Sequence, residues 1–380
     1  MSGHRQPGHD SRKLTGGHSL DGTLARWQDV AQLGPWTTLL AGNGLSVNLW
    51  PGFAYRSLFE RAKLGCLSPT DERLFAALGA TTNFELVLAE LKSAIAVASA
   101  CNSDPAPLEH RYRRIQDALG ATIGATHIAR AAVPDRALRQ VRAALRAFSH
   151  VFTTNYDLIA YWAMGSCETF AGFCDYFWSN GRNEFDPTKL AVRPAVTPVL
   201  FLHGALHLIV QGNGVTRKLR RADAMLLAQF GQAIPDDPHA RPLLVTEGSS
   251  RDKLLAIEAN DYLRFALCAL RRRRDPLVVF GHSLSAQDHH LVDALNAHPQ
   301  RPIAVSVTPG QRTRLRARQA RIRAVLETER LYFFDSTTHP LGAPQLRWWS
   351  PTLADAARPL NPSAAQSRLS TRRGFRQSVR

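Results

Sequence analysis

The chain has 380 residues, of which 44% are hydrophobic and 21% charged, a balance that allows a buried core and excludes a short disulfide-held module. Its formal charge of +16 invites an anionic partner, yet no uncharged apolar run approaches the ~18 residues of a membrane-spanning helix. Met1 to Gly17 lacks the apolar stretch of a secretory signal. The five irregularly spaced cysteines, Cys66, Cys101, Cys167, Cys174 and Cys268, predict reduced thiols and a cytoplasmic location.

In chain order, residues 1–20 are poor in apolar side chains and predict a disordered tail, as does the basic stretch 351–380. The body, 21–350, reads as one domain. Short apolar runs ending in Gly, Asn, Thr or Asp fall at 37–41, 150–154, 198–202, 242–246, 277–280, 303–307 and 331–334. Longer helical patterns separate them, and the alternation predicts an α/β fold with a Rossmann-like parallel sheet covered by helices. A helical insertion at approximately 70–148 lies between the first two strands. Its helices are predicted over 72–100, with a break at 78–82, and over 108–148, with a break around 120–124.

Six lysines leave 41 arginines among the 47 basic residues. They gather at 111–114, 136–146, 271–274, 312–323 and 358–380. Most of these runs read as solvated helix faces, because no aromatic residues interleave with them as a nucleic-acid stacking surface requires. The anion they favour can equally be a nucleotide.

Four strand ends carry polar groups where ligands of open α/β sheets bind. The first is Leu39-Leu40-Ala41-Gly42-Asn43-Gly44-Leu45-Ser46, a nucleotide-type loop or an ordinary tight turn; glycine permits close backbone approach to a diphosphate. In Val151-Phe152-Thr153-Thr154-Asn155-Tyr156-Asp157, Asn155 and Asp157 either face a ligand or serve the next helix as cap and dipole partner. Thr81-Thr82-Asn83-Phe84-Glu85 repeats that string after a helical pattern and reads as a helix start. The third is Leu202-His203-Gly204-Ala205-Leu206-His207, in which His203 is the best general-base candidate and Gly204 leaves space beside it. A zinc pair of His203 and His207 is not expected, since it needs a helix and an intervening acid. The fourth is Gly281-His282-Ser283-Leu284-Ser285-Ala286-Gln287-Asp288: Ser283 contacts phosphate or ribose, or Ser285 caps a helix and His282 is exposed. In Thr246-Glu247-Gly248-Ser249-Ser250-Arg251-Asp252-Lys253, Ser249 or Ser250 caps a helix and Glu247 lies near the site.

In this order, G-N-G-L-S, T-T-N-Y-D, L-H-G and G-H-S-L-S-x-x-D resemble the sirtuin-like superfamily of NAD-using domains over roughly residues 39–308. The strings F-A-Y-x-S-L-F, T-T-N-F-E and E-G-x-S-x-D-K-L resemble an uncharacterised bacterial branch of it. The resemblance implies that Gly42, Asn43, Gly44 and Ser46 cradle the NAD diphosphate. It sets Asn155 and Asp157, with Thr154, at the nicotinamide riboside and makes His203, beside Gly204, the base. Gly281 and Ser283, with Asp288, would contact the adenosine half. The paired C-x-x-C zinc module of the deacylases is missing, as is their G-I-P-D-F-R string, so Arg56 has no assigned counterpart. What the resemblance implies is therefore a metal-free NAD hydrolase, with NAD as substrate, of the kind used in anti-phage defence. A second copy of the chain or an activating protein is an implied partner. The competing expectations are an NAD or ADP-ribose binding module without turnover, and a basic nucleic-acid-binding protein.

Overall fold

The computed structural model describes residues 21–166, 172–177, 183–188, 196–219 and 239–349. The two predicted tails lie outside these residues, as does Cys167. Strands are numbered in chain order: β1 Thr38–Ala41, β2 His150–Thr153, β3 Phe173–Cys174, β4 Thr197–Phe201, β5 Gly204–Val210, β6 Thr216–Lys218, β7 Arg241–Leu244, β8 Leu277–Phe280, β9 Ile303–Val307 and β10 Leu331–Asp335.

Seven strands form a sheet in the order β10-β9-β8-β1-β2-β4-β3, and every pair in it is parallel. Such strands are covered on both faces and need continuous apolar runs rather than alternation. β1, β8 and β9 are accordingly buried at every position. Without the two-residue edge strand β3, the order in chain ranks is 3-2-1-4-5-6, that of doubly wound dinucleotide-binding sheets. The predicted α/β fold, a Rossmann-like parallel sheet flanked by helices, is thus the fold observed. The order reverses between β1 and β8, which pair from Thr38 with Leu277 to Ala41 with Phe280. That reversal opens a crevice at their carboxyl ends.

Two expectations need correction. The run at 242–246 does not join the parallel sheet: β7 pairs antiparallel with β5, which also pairs with β6, in a separate three-stranded sheet. The helix Ala106–Thr126 passes unbroken through Gly120 and Gly124. Its buried face, Ile115, Ala118, Leu119, Thr122 and Ile123, packs well enough to offset the ~1 kcal/mol cost of a helical glycine. The break falls later, between Thr126 and the next helix, Asp135–Arg146, which follows Pro134. The other insertion helices are Pro69–Ala77 and Phe84–Ala100, with the expected gap between them.

His127 pins the end of this insertion to the second loop. Its Nδ1 donates to Ile128 O at 2.8 Å, and its Nε2 accepts from the Leu158 amide at 2.8 Å. Several arginines of the runs are also ties rather than solvated charges. Arg142 donates to Met164 O, and Arg146 donates to Thr197 Oγ1 at 2.8 Å.

Gly204 starts β5 at φ +77°, and a Cβ there would lie 1.9 Å from Leu243 O. The space beside it is therefore filled by β7 and not available to a ligand. Gly204→Ala is expected to lower stability by about 2–3 kcal/mol, since backbone strain and collision both act. Urea unfolding measures this, and an unchanged midpoint would refute the packing argument.

Candidate functional site

A cavity of about 280 Å³ occupies the crevice, lined by Asn43, Gly44, Thr154, Asn155, Asp157, His203, Gly281, Ser283 and Asp288 among others. Nine of the twelve residues singled out in the sequence therefore meet on one wall. Gly42, Ser46 and Gly204 do not line it.

The first and fourth loops lie backbone against backbone. A Cβ on Gly44 would stand 2.6 Å from Gly281 Cα, and one on Gly42 would stand 2.7 Å from His282 Cα. Gly281 itself has φ +65°. The Gly42 amide donates to Phe280 O and the Gly44 amide to Gly281 O, both at 2.8 Å. This corrects the diphosphate assignment of these two amides: the glycines allow the two loops to touch at the switch point, and both donors are taken.

Ser46 is fully buried and belongs to a different task. Asn155 Nδ2 donates to Ser46 Oγ at 2.8 Å, and the Ser46 hydroxyl hydrogen-bonds the Asp157 carboxylate. These bonds fix the Asn155 amide so that its Oδ1 has no partner among the described residues, although the residue is only 5% exposed. An unpaired buried acceptor on a residue that lines a cavity calls for a donor from a ligand or a water. Asp157 also accepts from the Ile159 amide at 2.8 Å, so its role at the start of the helix Ile159–Met164 and its place on the wall coexist. Burial raises its pKa, against the hydrogen bonds from Ser46 and Ile159.

His203 Nε2 lies 3.0 Å from His290 Nε2, and His290 Nδ1 lies 3.0 Å from Ser250 Oγ. Ser250 Oγ also accepts from the His290 amide at 2.8 Å. Two proton arrangements satisfy this line. In one the Ser250 hydroxyl donates to His290, which donates to His203. In the other every donor is reversed, and the second nitrogen of His203 becomes an acceptor. Moving from the second to the first shifts the bridging proton from His203 Nε2 to His290 Nε2 as the other nitrogen of His203 takes one up. Burial, then the Lys253 charge, holds the His203 pKa well below its ordinary value, so the imidazole is neutral at pH 7.

Beside this pair lies a buried ion cluster, of which the sequence analysis assigns only Asp288 to the site. Lys253 has no exposed surface; its Nζ is 3.0 Å from Glu85 Oε2 and 2.9 Å from Asp288 Oδ1. Burial disfavours the ammonium, but the two carboxylates outweigh it and raise its pKa. Glu85 is raised, by burial and then by Asp288 against Lys253. For Asp288 burial is overcome by Lys253 and the neighbouring histidines, which hold the carboxyl low. His282 is not exposed as the capping alternative required: its Nδ1 accepts from the Leu284 amide at 3.0 Å and its Nε2 lies 3.6 Å from Asp288 Oδ2. Ser285 makes no side-chain cap bond, whereas Ser249 caps the helix Ser250–Glu258 through the Asp252 amide at 3.1 Å. Glu247 is not on the cavity wall.

His203, Asp288 and His290 each offer a ligand atom within 4.8 Å of the others. A divalent ion would meet the Lys253 ammonium already seated on Asp288 and would break the His203–His290 bond, so this set as arranged does not suit a metal. His207 stands apart, stacked on Tyr161 at 4.4 Å, with neither ring nitrogen bonded among the described residues.

A second cavity, about 450 Å³, adjoins the first and shares Gly44, Gly281, His282 and Ser283 with it. Its outer wall includes Asn48, Arg318, Arg321, Arg347 and Trp349. The pair of cavities runs across the switch point, each within the volume range of small-molecule sites or close to it.

Fold and site together define a Rossmann-like α/β protein with a crevice at the reversal of strand order. The chain belongs to the family described as Domain of unknown function (DUF4917), whose model matches residues 39–341. No curated protein matches it. Among the described residues no helix is long and apolar enough to cross a membrane.

Proposed function

We propose that the protein is a sirtuin-like enzyme that binds NAD and hydrolyses its nicotinamide glycosidic bond to give nicotinamide and ADP-ribose. The observation that carries this reading is that Asn155, whose buried Oδ1 is unpaired among the described residues, lines the same cavity as His203. The bond electrons leave with the nicotinamide nitrogen, which becomes neutral, and the ribosyl carbon takes on oxocarbenium character. Asn155 Oδ1 accepts a hydrogen bond from a ribose hydroxyl or the attacking water. The water oxygen bonds to the ribosyl carbon, and its proton passes to His203 and on toward His290. Ser46 and Asp157 are positioning residues that hold the Asn155 amide in orientation. The resemblance extends the proposal to anti-phage defence in the cytoplasm, with a second copy or another protein as trigger.

Purified protein incubated with NAD is expected to release nicotinamide, measured by chromatography. Asn155→Ala and His203→Ala should each reduce the rate by at least about 100-fold; wild-type rates in both would refute the assignments. A second reading, an NAD or ADP-ribose sensor without turnover, is favoured by the depressed His203 pKa, which weakens the imidazole as a base. Tight binding by calorimetry with no nicotinamide released, even beside an activating partner, would select it.

A further inference from the structure

The arginine run 312–323 reads as a solvated helix face in the sequence, yet two of its members line the second cavity. Arg321 is already committed: it donates to Leu284 O at 3.0 Å and to Ser283 O at 2.6 Å, holding the fourth loop. Arg318 makes no hydrogen bond or ion pair among the described residues. Arg347 uses its Nε on Asn48 Oδ1 at 2.9 Å and keeps its terminal nitrogens unbonded among the described residues. Among the described residues no Asp or Glu lines this cavity. Burial and then the neighbouring Arg318 depress the Arg321 pKa, as expected of guanidinium groups that repel one another without an anion between them.

In Rossmann sites a carboxylate hydrogen-bonded to the adenosine ribose 2′-hydroxyl selects NAD, whereas an arginine accommodates a 2′-phosphate. The cavity has the second set of groups and lacks the first. Ser283, on the wall shared with the first cavity, suits the diphosphate, which leaves Arg318 and Arg347 for another anion. Trp349 supplies an aromatic wall for the base. We propose that this cavity takes the adenosine half of a dinucleotide bearing an extra ribose phosphate, so that the preferred substrate is NADP rather than NAD. The inference rests on the dinucleotide half of the reading above.

The test is calorimetric binding of adenosine 2′,5′-bisphosphate and of ADP to the full chain, with nicotinamide release from NADP and NAD measured separately. The bisphosphate is expected to bind at least tenfold more tightly than ADP, and Arg318→Glu should bring the two within about threefold. Arg318 is exposed, and Arg318→Gln gives a milder variant whose ratio should fall between. Equal affinities in the unaltered chain, no binding of either probe, or a ratio unmoved by both variants overturns the proposal. Selective bisphosphate binding with no nicotinamide released from either dinucleotide keeps the preference for the 2′-phosphate and removes hydrolysis, and with it NADP as a substrate. Nicotinamide release from both dinucleotides alike, without selectivity, does the reverse.

Discussion

Lys253→Met is expected to lower the unfolding free energy by about 3–5 kcal/mol, the usual cost of removing one partner from a buried ion cluster. The ammonium has no solvent contact and sits between Glu85 and Asp288 at 3.0 and 2.9 Å. Methionine fills similar space, so the loss comes from electrostatics rather than from a cavity. Without the cation two carboxylates face each other in a low-dielectric setting, and one must take up a proton. Glu85, whose pKa is raised even with Lys253 present, is the one that does. The defect should therefore be larger at pH 8 than at pH 5, and Glu85→Gln added to Lys253→Met should recover part of it. Urea denaturation of the three proteins measures this; a single-variant loss below about 1 kcal/mol would mean the cluster carries little net charge interaction.

Acid sensitivity is the second large effect. Burial lowers the pKa of His127 to about 4, of His290 to about 4 and of His339 to about 3, each from an ordinary value of 6.5. Below pH 6.5 the unfolded chain binds protons at these sites while the folded chain does not, so unfolding takes up protons. Their contribution is complete above pH 6.5 and is lost as pH falls from there toward 4, and for His339 toward 3. Three such groups give a slope of about 4 kcal/mol per pH unit, which over one or two units is comparable to a domain's whole stability. Asp157, Glu85 and Glu247, whose carboxyls burial holds high, take up protons in the folded state and oppose the trend. His339→Phe isolates one histidine. The ring sits among Trp27, Phe280 and Phe334, and the variant's stability should vary less steeply between pH 5 and 6.5, by about 1.4 kcal/mol per unit. An identical slope in the two proteins would sink the argument.

The parallel sheet was legible because buried parallel strands leave continuous apolar runs bounded by glycine or polar residues, as Leu277–Phe280 does. The antiparallel sheet was less so, because β5 is buried at all seven positions and shows no alternation, although Gln211-Gly212-Asn213-Gly214 marks the turn into β6. Site residues at strand ends were legible from position alone. Glu85 and Lys253 were hidden, because each lies in a string with a sufficient local explanation. Asn83 does cap its helix, accepting from the Glu85 amide at 3.0 Å, and Ser249 does cap the other. The signal was that T-T-N-F-E and E-G-x-S-x-D-K-L answer each other. A Cβ on Gly248 would fall 2.0 Å from Ala89 N, so the glycine lets one helix start abut the other helix, and Lys253 then reaches Glu85. An acid and a base each followed by apolar periodicity in separate strings are compatible with contact but do not require it, and only the tertiary packing decides.

The central strand β1 is made early in synthesis, yet Leu40 pairs with Phe152 on one side and Val279 on the other. Ala25 likewise bridges to Phe334, near the end of the described chain. A nascent polypeptide leaving the ribosome must carry this wholly buried strand unpaired on one side until β8 has been made. This order of events ties the yield of native protein to whatever shields that segment meanwhile, and makes truncation anywhere before β8 fatal to the sheet.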